Sequence, residues 1–247
     1  KTAYEIGVRL VGSEMCIRDR IIIQPPGEAA NHCRMEMYNA DGSRGQMCGN
    51  GIRCVAKYVH DHGIAEEREL RVETDAGIKK LLIETGADGQ ASEVAVDMGT
   101  PGLKRGEIPL ADGEDSEEAA IRIPLEVEGL LFHLTGISMG NPHAVIRLDE
   151  TRAPEGVELP SLGQLPLEEW GPRFENHPWF PERVNTEFVV PRSRTELDFR
   201  VWERGSGETL ACGTGACAVV VAGVLNDWCD REAVSYTHLT LPTILLV

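Results

Sequence analysis

The stretch CGNGIRCVAKYV (residues 48–59) has a counterpart near the other end of the chain, CGTGACAVVVAG (residues 212–223). In each copy a cysteine is followed by two glycines at alternate positions and then by mainly apolar residues. Ile52, Val55 and Val59 have the i, i+3, i+7 spacing of one helix face. The two stretches therefore predict two helices, each beginning directly after its cysteine.

A cysteine in a glycine turn ahead of a helix has a particular chemistry. The positive end of the helix and its free backbone N–H groups favour the thiolate. Glycines let the backbone approach a ligand closely. One such cysteine suggests a nucleophile or a redox thiol, whereas two suggest an acid/base pair on opposite sides of one substrate carbon. A small buried hydrophobic residue is the alternative for each cysteine alone, and it is our interpretation of Cys54 and Cys217.

The surroundings of the two stretches also match. Residues 33–38 and 195–202 alternate between apolar and polar side chains, which predicts half-buried strands. The polar loops 39–43 and 203–207 follow these strands. Each half of the chain thus contains a strand, a polar loop, a cysteine turn and a helix, and this internal repeat predicts two similar domains.

The other predicted elements are short. Strands are expected at residues 69–74, 78–84, 92–98, 120–127, 130–134 and 144–148, and a helix near 165–170. The acidic stretch 111–119 is interpreted as a linker, which gives domains 1–115 and 116–247.

Bulk properties exclude several classes of protein. The 247 residues are 42% hydrophobic and 26% charged, with a net charge of −16. This charge argues against nucleic acid or an anionic membrane surface as a partner. The seven cysteines include no CxxC pair, so we expect reduced thiols in a cytoplasmic protein rather than a zinc site or a disulfide framework. No apolar run is long enough to span a bilayer.

The two ends of the chain do not continue the neighbouring patterns. Residues 1–20 and 234–247 resemble translated sequencing-library adapter. We therefore expect the native segment to cover about residues 21–233.

Two polar groups outside the cysteine turns are further site candidates. His143 follows Asn141-Pro142 in a predicted loop, where it could orient or tune a thiol, although a lone histidine is more often structural. Glu203 and Arg204 precede Cys212 and would supply a carboxylate near the thiol and a guanidinium that can bind a carboxylate. A solvated surface pair is the alternative for these two residues.

Four blocks of the sequence resemble the diaminopimelate epimerase family. They are YNADGSRGQMCGNGIRCVAKY (38–58), SMGNPHAV (138–145), PERVNTEF (181–188) and WERGSGETLACGTGACA (202–218). The resemblance implies an α+β fold of two pseudo-symmetric domains, each with mainly antiparallel strands curled around a central helix, and an active site in the cleft between them. It also implies interconversion of LL- and meso-2,6-diaminoheptanedioate in lysine and peptidoglycan precursor biosynthesis, with neither a cofactor nor a metal.

The resemblance assigns roles to individual residues. Cys48 and Cys212 resemble the two catalytic thiols, and the direction of the reaction decides which is acid and which is base. His143 and Glu203 resemble the residues that adjust thiol acidity. The implied substrate contacts are Asn39, Gly49, Asn50, Asn141, Asn185, Glu203, Arg204, Gly213 and Thr214. The implied partner is a small amino acid, without nucleic acid or membrane, and a homodimer is a candidate assembly.

The chain also departs from the family pattern. An N-terminal loop that supplies a substrate asparagine has no counterpart in residues 1–20, and we expect the strands after the second helix to be missing. An inactive truncated fragment is therefore one alternative. Proline racemase or hydroxyproline epimerase activity is another, although those families typically lack Asn-Ala-Asp-Gly-Ser and Glu-Arg-Gly-x-Gly-Glu. A thiol hydrolase would leave the second cysteine turn unexplained.

Overall fold

A computed structural model describes residues 20–38, 42, 44–45 and 47–237, and the backbone of residues 4–6 and 243–246. The chain divides into two compact units, Lys1–Gly99 and Thr100–Val247. Much of the adapter-like ends, and Asn39 among the expected site residues, lie outside the described residues.

Among its described residues, the first unit contains a sheet and one helix. Its elements are β1 (Tyr4–Ile6), β2 (Arg20–Gln24), β3 (Cys33–Tyr38), β4 (Arg44–Gly45), α1 (Gly49–Asp61), β5 (Glu69–Thr74), β6 (Gly77–Thr85) and β7 (Ala91–Asp97). The sheet order is β1-β2-β3-β5-β6-β7, with β4 paired to β3. All pairs are antiparallel except β3 with β5.

The alternation seen in the sequence positions the helix on this sheet. Cys33, Met35 and Met37 of β3 are buried, and the residues between them are only partly buried. Ile52 and Val59 of α1 pack in the same core cluster. The predicted strand at 33–38 and the predicted first helix are therefore confirmed.

The second unit is also a sheet with helices. Its elements are β8 (Ile123–Val127), β9 (Leu130–Ser138), β10 (Pro142–Arg147), α2 (Leu167–Glu175), β11 (Asn185–Ser193), β12 (Glu196–Glu203), β13 (Gly207–Thr209), α3 (Gly213–Leu225), β14 (Glu232–Tyr236) and β15 (Thr243–Leu246). The sheet order is β15-β14-β12-β11-β10-β9-β8, with β13 paired to β12. The pairs β10–β11 and β12–β14 are parallel.

The same motif occurs in both units and confirms the internal repeat. A short strand pairs antiparallel with the strand before the cysteine turn: β4 with β3, and β13 with β12. The helix follows the turn, and the strand after the helix lies parallel to the first: β5 with β3, and β14 with β12. The expected α+β fold of two sheet-rich units is therefore confirmed.

Two parts of the second unit differ from the sequence-based expectation. The strand β11 was not predicted, because residues 185–190 are almost continuously buried and lack the alternation of a half-buried strand. The expectation that no strand follows the second helix is wrong, since β14 pairs with β12 and buries Ala233 and Ser235.

Residues 100–119 belong to the second unit. Arg105 is 6% exposed and pairs with Asp112 at 3.0 Å, and it also donates to the carbonyl of Ala119 at 2.9 Å. These contacts hold the acidic stretch 111–119 against the buried side chain of Arg105, whereas the sequence predicts a linker there and a domain boundary near residue 115. Across the residues that the structure describes, no helix is both long enough and apolar enough to cross a bilayer.

Candidate active site

The first cysteine turn is a helix cap. Cys48 is the N-cap residue of α1, with φ −134° and ψ 117°, and its Sγ accepts a hydrogen bond from the backbone N–H of Gly51 at 3.3 Å. The side chain of Asn50 accepts a hydrogen bond from Arg53. Cys48 is half-buried, so its sulfur lies at the positive end of a helix with partial access to solvent.

The second cysteine turn repeats this geometry. Cys212 is the N-cap residue of α3, with φ −124° and ψ 112°, and its Sγ accepts from the N–H of Gly215 at 3.3 Å. The hydroxyl of Thr214 lies 3.5 Å from the same sulfur. Cys212 is 6% exposed. The two turns are therefore alike in backbone conformation and in capping bond.

Both turns are closely packed around the second glycine. A Cβ on Gly51 would lie 2.6 Å from Ile21 Cδ1, and a Cβ on Gly215 would lie 2.7 Å from Glu187 Oε1. Real Cβ atoms do not come this close to other atoms, so a side chain at either position requires the neighbouring side chain to move. The repeated Cys-Gly-x-Gly pattern thus has a steric reason in each unit.

The surroundings of Cys212 set the acidity of its thiol. Burial, followed by the charges of Glu203 and Glu187, raises the pKa of its thiol well above the ordinary value. The contacts with Thr214 and the Gly215 N–H act in the opposite direction but are weaker. At Cys212 a low-dielectric site and two carboxylates therefore outweigh the end of the helix, which by itself favours the thiolate.

Glu203 lies in the same site. It accepts a hydrogen bond from Thr209 and interacts with Cys212. Burial raises the pKa of the Glu203 carboxyl, while the bond from Thr209 and the charge of His143 oppose this shift. The sequence placed Glu203 near the thiol, and the structure brings the two together in the second unit.

His143 begins a chain of polar contacts that ends at the sulfur. Its Nε2 lies 3.1 Å from Asn141 Oδ1, the Asn141 amide donates to Thr214 Oγ1 at 3.3 Å, and Thr214 contacts Cys212. His143 itself is completely buried. The residues quoted from two separate blocks of sequence therefore meet at the start of α3.

Asn185 and Arg204 form a second part of the site. Asn185 donates to the carbonyl of Pro142 at 2.8 Å and accepts from the backbone N–H of Arg204 at 2.8 Å. The guanidinium of Arg204 donates to the carbonyl of Glu182 at 3.0 Å. Asn185 thus connects the loop of Asn141 and His143 to the loop of Glu203 and Arg204.

Two buried carboxylates of the site were not predicted from the sequence. Glu187 Oε1 lies 2.7 Å from His143 Nδ1. Glu175 accepts hydrogen bonds from Trp202 Nε1 at 2.7 Å and from the backbone N–H of Gly205 at 2.9 Å, so it holds both sides of the Glu203-Arg204 pair. Glu187 lies inside the block PERVNTEF, two residues after Asn185, and recognising a strand there would have placed both on one face.

The expected residues thus fall into two groups. Cys48, Gly49 and Asn50 form the cysteine turn of the first unit. The described site residues of the second unit are Asn141, His143, Asn185, Glu203, Arg204, Cys212, Gly213 and Thr214. Among the residues that the structure describes, no three or more His, Cys, Asp or Glu side chains are grouped to hold a metal ion.

Comparison with known sequences identifies the family. A sequence model described as diaminopimelate epimerase matches residues 18–104 and 135–239. The chain belongs to the diaminopimelate epimerase family.

Individual relatives agree with this assignment. The chain is 47% identical to a diaminopimelate epimerase of Desulfovibrio desulfuricans over 87% of this chain and 71% of the relative. It is 49% identical to that of Acetivibrio thermocellus over 87% and 71% of the two chains. The family match extends slightly beyond residues 21–233 at both ends, where the adapter interpretation had placed the limits of the native segment.

Solved structures are similar in fold. A hydroxyproline epimerase from Agrobacterium vitis aligns with a TM-score of 0.58 and 16% identity over 88% of this chain and 62% of that chain. A PhzF-family phenazine biosynthesis protein from Bacillus anthracis aligns with a TM-score of 0.56 and 16% identity over 93% and 75%. At these identities the similarity concerns the fold alone.

Proposed function

We propose that this protein is an isomerase that interconverts LL- and meso-2,6-diaminoheptanedioate by a two-cysteine acid/base mechanism. The observation that supports it most directly is the repeated cap, in which Cys48 and Cys212 each accept the N–H of the second glycine at 3.3 Å. The names of the relatives supply the substrate. The corresponding biological setting is lysine and peptidoglycan precursor biosynthesis in the cytoplasm.

The proposed reaction moves one proton off the substrate and another onto it. One sulfur, as thiolate, takes the proton of the α C–H bond, and the electron pair of that bond stays on the carbon. The other sulfur, as thiol, donates a proton to the opposite face and becomes a thiolate. The configuration is inverted, and the charges of the two sulfurs are exchanged.

The environments of the two cysteines suggest their resting roles. The raised pKa of Cys212 keeps its proton on the sulfur, so in the proposal it is the acid of the first step. Cys48 is then the base. In the reverse direction the roles exchange, because the sulfurs have exchanged their proton.

The turns also supply groups for the charge that develops on the substrate. The carbanion places negative charge on the adjacent carboxylate, and backbone N–H groups at a helix start can stabilise it. In the proposal these are the N–H groups of Gly49, Asn50, Gly213 and Thr214. Asn39, Asn141, Asn185 and Arg204 are assigned to the rest of the amino acid, with Glu203 and His143 adjusting thiol acidity.

The decisive experiment measures conversion of the LL to the meso isomer with matched cysteine variants. Cys48→Ser and Cys212→Ser retain a capping oxygen but replace the thiol with a far weaker acid. We expect each of these two variants to lower kcat by about a hundred- to ten-thousandfold. Cys54 lies in α1, six residues after Cys48, and Cys54→Ser is the control that should retain turnover. Wild-type-like turnover of either turn variant would contradict the two-base mechanism.

A second measurement tests the chemistry independently of mutation. In D₂O the product must gain deuterium at the inverted carbon, since the returning proton comes from a thiol that exchanges with solvent. Proline and hydroxyproline serve as control substrates, for which we expect no racemisation. Turnover of these substrates in place of diaminopimelate would favour the alternative activity.

A further inference from the structure

Glu187 is a buried carboxylate that has no contact with substrate in the proposed mechanism. It lies on β11, which pairs in parallel with β10, and its Oε1 lies 2.7 Å from Nδ1 of His143. Both side chains are 0% exposed. At this distance the nitrogen and the oxygen form a hydrogen bond.

The other oxygen of this carboxylate lacks support. Glu187 Oε2 is buried and has no hydrogen-bond partner among the residues that the structure describes. Glu73 in the first unit is also largely buried, but it accepts from the N–H groups of Gly27 and Glu28 and from Asn31. Glu73 is thus a structural carboxylate with three hydrogen bonds. Glu187 has one hydrogen bond within the described structure, the contact with His143.

A buried carboxylate with one hydrogen bond contributes little to the stability of the fold. Removing a carboxylate from water is costly, and a buried ion pair often contributes no more stability than apolar side chains of the same volume. A local role for Glu187 is therefore the better explanation of a carboxylate at this position.

Its place in the site indicates what that role is. Each ring nitrogen of His143 faces an oxygen atom, and a carboxylate is a stronger acceptor than an amide oxygen. Which nitrogen of an imidazole carries its proton is set by the partner of the ring. Nδ1 therefore donates to Glu187. Nε2 faces Asn141 Oδ1, which is also an acceptor, so this second contact is a hydrogen bond when Nε2 carries a proton as well, and the ring is then held between the two oxygens.

The orientation of the ring is transmitted to the thiol by short contacts. From Asn141 the contacts continue to Thr214 at 3.3 Å and from Thr214 to Cys212 at 3.5 Å. Glu187 also packs directly beside the cysteine turn of the second unit, since a Cβ on Gly215 would lie 2.7 Å from Glu187 Oε1. Its carboxylate thus contacts the turn from one side and supports the histidine on the other.

We infer that Glu187 is a positioning residue that fixes the Nδ1 proton and the orientation of His143 and, through Asn141 and Thr214, the surroundings of the Cys212 thiol. The inference rests on the proposed function, because the role of the thiol is defined by that reaction.

The first test is spectroscopic and needs no substrate. Two-bond ¹H–¹⁵N spectra of the full chain report whether each ring nitrogen carries a proton, and His143→Gln identifies the signals of His143. We expect a protonated Nδ1 in the wild type, and a change of these signals in Glu187→Gln but not in Glu73→Gln. An unprotonated Nδ1 in the wild type, or unchanged signals in Glu187→Gln, would overturn the inference without reference to any variant's activity.

The second test is kinetic. By analogy with residues that orient metal-bound histidines, Glu187→Gln should lower kcat about 10- to 100-fold, with KM changed less than about threefold. Glu187→Asp, which keeps the carboxylate, should recover part of the loss, and Glu73→Gln should keep wild-type kcat. Because Glu187 acts through His143, the double variant Glu187→Gln/His143→Gln should have a kcat within about twofold of that of His143→Gln.

Two outcomes separate the inference from the function. Additive losses in the double variant would overturn the role of Glu187 while leaving epimerisation intact. A wild type that does not epimerise diaminopimelate would contradict the proposed function, and the spectra would then decide the inference.

Discussion

The two cysteine turns are alike in backbone and unlike in surroundings. Both cysteines have extended backbone angles and accept the N–H three residues on at 3.3 Å. The helix after Cys48 buries one stripe and exposes Lys57, whereas α3 is buried on all sides from Thr214 to Gly223. The same cap geometry therefore occurs at the edge of the core in the first unit and inside the core in the second unit.

This difference shows what a local motif decides and what it does not. The glycines and the cysteine set the cap, because these contacts span only four residues. The environment sets the acidity, because burial and the charges of Glu203 and Glu187 raise the pKa of Cys212. Two copies of one motif can in this way supply one thiol that keeps its proton and one that is more accessible.

The largest expected difference between the turns concerns their second glycines. Gly215→Ala would press on the buried carboxylate of Glu187 at 2.7 Å and on the sulfur of Cys212 at 3.2 Å. Gly51→Ala would meet the terminal methyl of Ile21 at 2.6 Å. We expect Gly215→Ala to cost about 2 to 3 kcal/mol of the free energy of unfolding.

Gly51→Ala should cost less than about 1 kcal/mol, because the end of an apolar side chain can turn aside and alanine favours the helix. Urea unfolding of both variants measures the difference. Equal losses would show that the surroundings of the two turns do not differ in the way described.

The next effect is thiol reactivity. At pH 8 we expect iodoacetamide to modify Cys48 at least about ten times faster than Cys212, since a buried thiol of raised pKa has little thiolate. Peptide mass spectrometry after timed quenching measures both rates in one sample. Similar rates would contradict the difference in environment.

Glu203→Gln sharpens this comparison. The charge of Glu203 raises the pKa of Cys212, so removing it should lower that pKa and accelerate modification of Cys212 severalfold. Glu73→Gln is the matched control and should leave the rate unchanged. An unchanged rate in Glu203→Gln would show that the charge of Glu203 does not contribute to the acidity of Cys212.

A smaller effect distinguishes the structural carboxylate of the first unit. Hydrogen bonds from Asn31, Glu28 and Gly27 lower the pKa of Glu73 from 4.5 to about 2. Because the folded state favours the carboxylate, this stabilisation is present above about pH 4.5 and is lost as the pH falls toward 2. We expect a loss on the order of 1 kcal/mol over that range, which Glu73→Gln should not show in urea unfolding at pH 5 and pH 3.

The smallest effect concerns the caps themselves. Serine is a good N-cap residue, so Cys48→Ser and Cys212→Ser should each lie within about 0.5 kcal/mol of the wild-type free energy of unfolding. Thermal unfolding followed by circular dichroism provides the measurement. A large destabilisation of Cys212→Ser alone would mean that the site depends on sulfur for packing as well as for chemistry.

Much of the first unit could be predicted, because its signals are local. Residues 33–38 alternate strictly, and Ile52, Val55 and Val59 mark one helix face. In the second unit β11 is buried on both faces and shows no such period. The role of Glu187 was missed for the same reason, since its contact with His143 depends on the pairing of β11 with β10.

The amino-acid sequence by itself determined the repeated cap, the two helices and the family, because each depends on residues close together in the chain or on whole blocks of identity. The tertiary structure alone decided the acidity of Cys212 and the partners of His143. Burial and charge act through space, and Glu187, Glu203 and Cys212 come together only when β11, β12 and α3 have packed.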